Sequence, residues 1–164
     1  MFKQKEIYRP NVGIIIINTE GNLMWCRRKN HDGWQFPQGG IDENESPIEA
    51  AIREVEEETG LAEQDLNFIW ESKSWFFYDV PKERRNNYFI GKNKFIGQRQ
   101  KWFLAKIKSG HEKNINLSKN LPIEFDDFIW VTYWYPLREV VSFKKEVYRE
   151  LLIELLPKYI EIKK

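Results

Sequence analysis

Glu54, Glu57 and Glu58 stand at i, i+3 and i+4. On an α-helix, at roughly 100° per residue, that spacing gathers the three side chains into an arc about 100° wide. Like charges so placed repel by about 0.2–0.5 kcal/mol per pair on an exposed helix, and more where solvent is partly excluded. The arrangement therefore asks for a compensating cation. Carboxylate oxygens are the preferred ligands of hard divalent ions such as Mg²⁺ and Mn²⁺. An ion held this way can neutralise an anionic substrate and lower the pKa of a bound water, two recognised roles of a catalytic ion. For the helix alone, a solvated acidic face damped by Arg53 and surface lysines is the competing explanation.

The segment before the glutamates favours the cation. Phe36-Pro37-Gln38-Gly39-Gly40-Ile41 places two adjacent glycines ahead of the helix, where backbone can approach a metal or a phosphate closely. Ser46 is placed as N-cap, Pro47 as first helical residue and Glu49 as the partner completing a capping box, with Gly60 ending the helix. Ile48, Ala51, Ile52 and Val55 follow the spacing of a buried stripe. The carboxylates lie roughly 130° from that stripe on the helical wheel, which predicts a position at the edge of the core.

The elements that must position this helix read as follows. Short apolar runs at residues 12–18 and 23–28, separated by Glu20-Gly21-Asn22, predict a hairpin. Further strands are expected at 68–78, 100–107 and 127–133, each aromatic or β-branched. Val147, Leu151, Leu152 and Leu155 predict a second amphipathic helix over residues 144–160. Strands, helix, strands and helix in that order imply an α/β (α+β) fold with a mixed sheet covered by helices. The 164-residue length predicts one domain spanning residues 1–164.

Composition narrows the function classes. A hydrophobic content of 41% with 15% aromatic residues supplies a real core and argues against intrinsic disorder. The formal net charge of +1 excludes nucleic-acid binding by overall charge but not by a local patch. Cys26 is the single cysteine, so neither an internal disulfide framework nor a cysteine–zinc site is available. No segment reaches membrane-spanning length and no signal-like leader is evident, so a cytoplasmic, membrane-independent protein is expected. His31 and His111 lack ligand spacing and are assigned surface or structural roles.

From Gly39, five residues lead to Glu45, seven more to Arg53-Glu54-Val55, and then to Glu57-Glu58, Gly60 and Leu61. That pattern matches the Nudix box at each of its nine defined positions. The flanking blocks around Tyr8–Gly13, Trp34–Gly40, Gly97–Phe103, Pro122–Asp126, Tyr133–Pro136 and Val140–Lys144 resemble the bacterial RNA pyrophosphohydrolase subgroup of that family.

The resemblance implies a Nudix α/β/α sandwich with a loop-helix-loop catalytic motif. It implies Glu54, Glu57 and Glu58 as ligands of Mg²⁺, Mn²⁺ or another divalent ion, with the Gly39 carbonyl joining them. Arg53 and Glu45 would brace the helix, and Gly40 and Gly60 would shape its ends. Glu124 would be a further ligand or the general base. Arg9, Arg28 and Lys144 would contact phosphates, Gln98 would lie on the substrate, and Val141 and Phe143 would line a slot for a base. The implied substrate is 5′-triphosphorylated RNA, with a dinucleoside polyphosphate as the alternative and a non-catalytic nucleotide-binding module as a third reading. Protein partners are not implied.

Residues 82–101 hold seven Lys or Arg against Glu83, a local charge of +6, interleaved with Tyr88, Phe89 and Phe95. Cations and rings so mixed are expected where a single strand is tracked and its bases stack, although buried aromatic anchors in a solvated loop would give the same pattern.

Overall fold

A computed structural model describes residues 7–89 and 94–164. The fold is organised by β1 (Tyr8–Ile17), whose apolar half is buried on both faces. Successive strand residues point to opposite sides. Val12, Ile14 and Ile16 accordingly pack with Ala50, Ala51 and Val55 of the carboxylate helix α1 (Pro47–Thr59), while Ile15 and Ile17 pack with Leu151, Leu152 and Leu155 of α4 (Lys145–Lys163). A strand covered twice reads as an unbroken hydrophobic run. The two helices sandwich the sheet, and the expected α/β/α layering is present.

β1 runs parallel to β7 (Gly97–Ile107), in register from Tyr8 opposite Gly97 to Ile17 opposite Lys106. β5 (Leu66–Glu71) and β6 (Phe76–Asp79) both pair antiparallel to β7, along its second and first halves respectively. β4 (Gln38–Gly40) pairs with Asn11–Gly13 of β1 and so brings the Gly-Gly segment to the mouth of α1. β2 (Leu23–Arg28) pairs with β8 (Phe125–Val131) and β3 (Trp34–Gln35). Short helices α2 (Arg85–Tyr88) and α3 (Tyr135–Glu139) complete the α-helices of the described residues. Over α4 the core is aromatic: Phe36 stacks on Tyr148 with centroids 5.2 Å apart, and Trp25 and Trp102 meet them edge-on.

Three expectations change. The predicted hairpin pairs only at Ile17 opposite Leu23, because β1 and β2 then diverge to longer partners. The single strand expected over residues 68–78 is two strands. Ser72 breaks it by turning its hydroxyl inward, where Oγ accepts from Trp102 N–H at 3.0 Å and donates to Ser74 C=O at 2.9 Å. The buried stripe of α1 is also rotated from the expected one. Ile48 is 37% exposed, whereas Ala50, Ala51, Glu54, Val55 and Glu58 are buried. Two small alanines let the helix sit close on β1 and β4, and that close approach carries Glu54 and Glu58 inward.

Candidate active site

The capping predicted for α1 is present: Ser46 accepts from Glu49 N–H, Glu49 returns a bond to Ser46 N–H, and Gly60 closes the helix at φ +77°. A helix started and stopped by its own sequence delivers its carboxylates at a fixed angle. Arg53 then ties the helix to the preceding loop. Its Nε donates to Glu45 Oε1 at 2.7 Å, Nη2 to Glu45 Oε2 at 3.0 Å and to the Gly40 carbonyl at 2.8 Å, and Nη1 to Glu54 Oε1 at 2.7 Å. Its hydrogen bonds to Glu45 hold that carboxyl below the usual carboxylate range.

An open cleft of about 590 Å³ lies beside this assembly. Glu54, Glu57, Glu58 and Glu124 line it, together with Arg9, Arg28, Asn11 and Gln98. Desolvation raises the Glu54 carboxyl to about 7, opposed by the Arg53 hydrogen bond and reinforced by Glu57 and Glu124. Burial pushes Glu58 well above its ordinary value, with Glu54 and Glu124 adding to the shift and the hydrogen bond from Gln38 N–H, at 3.2 Å, opposing it. Two buried carboxyls that resist ionising in each other's company are a site that gains from a cation.

The donor set fits a hard divalent ion: it is all oxygen, mostly carboxylate, and half buried. The glycine before the helix fits as well, since a β-carbon on Gly39 would stand 1.9 Å from the Glu54 carboxylate carbon. As the side chains lie, Arg53 and the Gln38 amide engage Glu54 and Glu58, and among the described residues no three His, Cys, Asp or Glu are gathered into a ligand cluster.

Beneath the cleft runs a polar layer that the sequence does not announce. Gln100 and Asn11, opposite each other on β7 and β1, are both 1% exposed. Gln100 Nε2 donates to Asn11 Oδ1 at 2.8 Å and to Gln38 Oε1 at 3.3 Å. Lys144 Nζ donates to Gln35 Oε1 at 3.2 Å and Gln38 Oε1 at 3.4 Å. Burial and the charge of Arg28 lower the Lys144 amine to about 7. The side chain of Gln38 is thus fixed from below while its backbone N–H holds Glu58.

Most of the residues expected at the site share the cleft; others do not. Lys144 lies under its floor rather than in its lining, 1% exposed. Val141 and Phe143 are half-buried at its side, with Phe143 packed on Tyr88 at 5.9 Å and Tyr78 at 6.0 Å. Of the basic stretch, Lys92 lies outside the described residues. Its aromatic residues are largely core: Phe89 is 3% exposed and Phe95 packs on it, while Tyr88 reaches the cleft with Arg28 over its ring. Asn11, Gln35, Gln38, Asn87 and Asn120 line the cleft without having been singled out. Asn11, Gln35 and Gln38 carried a signal only as members of the Tyr8–Gly13 and Trp34–Gly40 blocks.

A carboxylate helix opening onto a cleft with arginines, on a sheet covered by helices, defines a hydrolase of phosphoanhydride bonds. A NUDIX domain model matches residues 7–155, and the chain belongs to the Nudix family. Curated relatives named RNA pyrophosphohydrolase extend over most of it. That of Pasteurella multocida is 49% identical over 90% of this chain and 73% of its own. That of Ectopseudomonas mendocina is 47% identical over 93% of this chain and 94% of its own. Among solved structures, the E. coli dihydroneopterin triphosphate pyrophosphohydrolase shares the fold at a TM-score of 0.69 and 19% identity, covering 90% of this chain and 98% of its own. A C. elegans Ap4A hydrolase does so at 0.64 and 18%, covering 91% and 98%. Nudix hydrolases generally require divalent metal ions. Among the described residues no helix is long and apolar enough to cross a membrane.

Proposed function

We propose that this chain hydrolyses the 5′-triphosphate end of RNA to a 5′-monophosphate, with Glu54, Glu57, Glu58 and the Gly39 carbonyl holding Mg²⁺ or a similar divalent ion. The observation that carries the reading is the placing of four carboxylates and two arginines, Arg9 and Arg28, around one open cleft. The relatives' names point the same way. A bound ion supplies charge neutralisation on the polyphosphate and a water of lowered pKa.

The rest falls to the protein's own side chains. Arg9 and Arg28 bind non-bridging phosphate oxygens and orient the chain for in-line attack. Arg53 keeps the Gly40 loop and α1 in one register, and the Gln38 amide fixes Glu58. Glu124, exposed at the cleft margin, is free to accept a proton from the attacking water. The layer under the floor, Lys144 included, holds Gln38 in place beneath the phosphates.

The test is release of phosphate and pyrophosphate from a short 5′-triphosphorylated RNA, in Mg²⁺ and in EDTA, with diadenosine tetraphosphate alongside. Metal-dependent conversion of the RNA at the higher kcat/KM is expected. Preference for the dinucleotide would reassign the substrate while keeping the cleft.

A further inference from the structure

Folding splits the basic stretch between two sides of the sheet. Gln98 and Gln100 face the cleft and its floor. By strand alternation their neighbours Arg99 and Lys101 project from the opposite face of β7. There both stand over the indole of Trp75, Arg99 Cζ at 4.7 Å and Lys101 Nζ at 5.8 Å from the ring. Phe77, directly across from Arg99 on β6, is 44% exposed and meets Tyr8 edge-on at 5.2 Å. The rings accompanying these cations are thus Trp75, Phe77 and Tyr8, from outside the stretch, and not Phe89 and Phe95, which are tied into the core.

The charge there is poorly compensated. Among the described residues no carboxylate pairs with Arg99, and its buried Nε lacks a hydrogen-bond partner. Lys101 reaches only Glu71, at 4.0 Å, and the Lys73 carbonyl, at 3.3 Å. A half-buried guanidinium lying over an indole, with no carboxylate paired to it, can take a phosphate on its remaining donors. Exposed Phe77 beside it offers a ring to a base. Cation and aromatic side by side on a strand surface is the composition of a single-strand platform.

We propose that Trp75, Phe77, Arg99 and Lys101 form a second contact surface for single-stranded RNA, engaging nucleotides downstream of the 5′ end while the end itself occupies the cleft. The surface rests on the RNA reading only for its coupling to turnover; its affinity for RNA stands independently. The occupant is an RNA backbone rather than an acidic protein, because the rings are positioned with the cations.

Two measurements separate the surface from the cleft. The first is anisotropy of a labelled 5′-hydroxyl oligoribonucleotide about 20 long, which has no triphosphate for the cleft to hold. Arg99→Gln and Phe77→Ala should each weaken its binding by about tenfold. Arg99→Gln should also flatten the log–log salt dependence by roughly 0.7. Lys101→Gln should weaken binding likewise while leaving every ring in place, should Phe77→Ala disturb the fold. The second is kcat/KM on a triphosphorylated dinucleotide and on a 20-mer: the variants should lose efficiency on the 20-mer alone. Unchanged binding of the hydroxyl RNA overturns the surface, including the outcome in which the patch takes an acidic protein instead. If wild type binds that RNA through these residues but never hydrolyses a 5′-triphosphate, the surface stands and the substrate reading fails.

Discussion

The carboxylate of Glu54 lies over Gly39 so closely that a β-carbon on the glycine would come within 1.9 Å of its carboxyl carbon. The glycine is required by this close approach, and Glu54 cannot hold its place beside any other residue. Gly39→Ala should therefore displace Glu54 and reduce turnover by about a hundredfold, since ångström-scale misplacement costs that much. Overpacking at one site should lower stability by about 1–3 kcal/mol. Steady-state kinetics beside urea unfolding checks both, and near-normal turnover would contradict the placement.

Arg53 makes a forked contact with Glu45 and simultaneous bonds to Gly40 and Glu54. A lysine keeps the charge but not the fork. Arg53→Lys is expected to lower kcat at least about tenfold, through loss of two or more positioned bonds, and stability by about 1 kcal/mol, the side chain being partly exposed. If kcat holds while stability falls, Arg53 is only a structural brace.

Gln100 contributes to the site without reaching the substrate. Gln100→Met removes its bonds to Asn11 and Gln38 and leaves the buried Asn11 carbonyl oxygen unsatisfied, a loss of about 1–3 kcal/mol in stability. Because Gln38 also holds Glu58 through its amide, kcat should fall more than KM rises. An effect confined to the unfolding curve would show that the layer supports the fold alone.

Asp65 gives a pH signature away from the cleft. Its carboxylate lies 2.8 Å from His111 Nδ1 and accepts from Asn114 at 2.9 Å and from Ala62 N–H at 2.8 Å. The His111 contact, then the Asn114 and Ala62 hydrogen bonds, hold it below the ordinary aspartate value. A depressed folded-state pKa stabilises above the unfolded value near ~3.9 and is lost as pH falls through the folded one. Wild type should therefore lose its advantage over Asp65→Asn as pH drops below about 4, followed by urea midpoints. A gap between the two that persists undiminished at pH 2 would contradict this.

What the sequence discloses is what is decided locally. Ser46, Pro47, Glu49 and Gly60 define α1 because caps act within four residues of themselves. The carboxylate spacing is legible for the same reason. Ile48 misleads, because which face a helix buries depends on the strand it meets, and Ala50 and Ala51 permit a closer approach than bulk apolarity suggests. The parallel pairing of β1 with β7, some ninety positions along the chain, has no local mark. The Gln100–Gln38–Lys144 layer and the Arg99–Trp75 stack follow from that pairing, so isolated glutamines, one lysine and one tryptophan gave no hint of them.

Glu57 tests the central claim most directly. It is the exposed member of the three carboxylates on α1, so its loss should leave the fold intact. The measurement is Mg²⁺-dependent single-turnover conversion of a 5′-triphosphorylated RNA by wild type and Glu57→Gln at matched urea midpoints. A fall of about a hundredfold or more in the variant, with EDTA silencing wild type, is the predicted result. Retention of near-full activity by Glu57→Gln, or turnover that persists in EDTA, would contradict a metal-dependent hydrolase built on this helix.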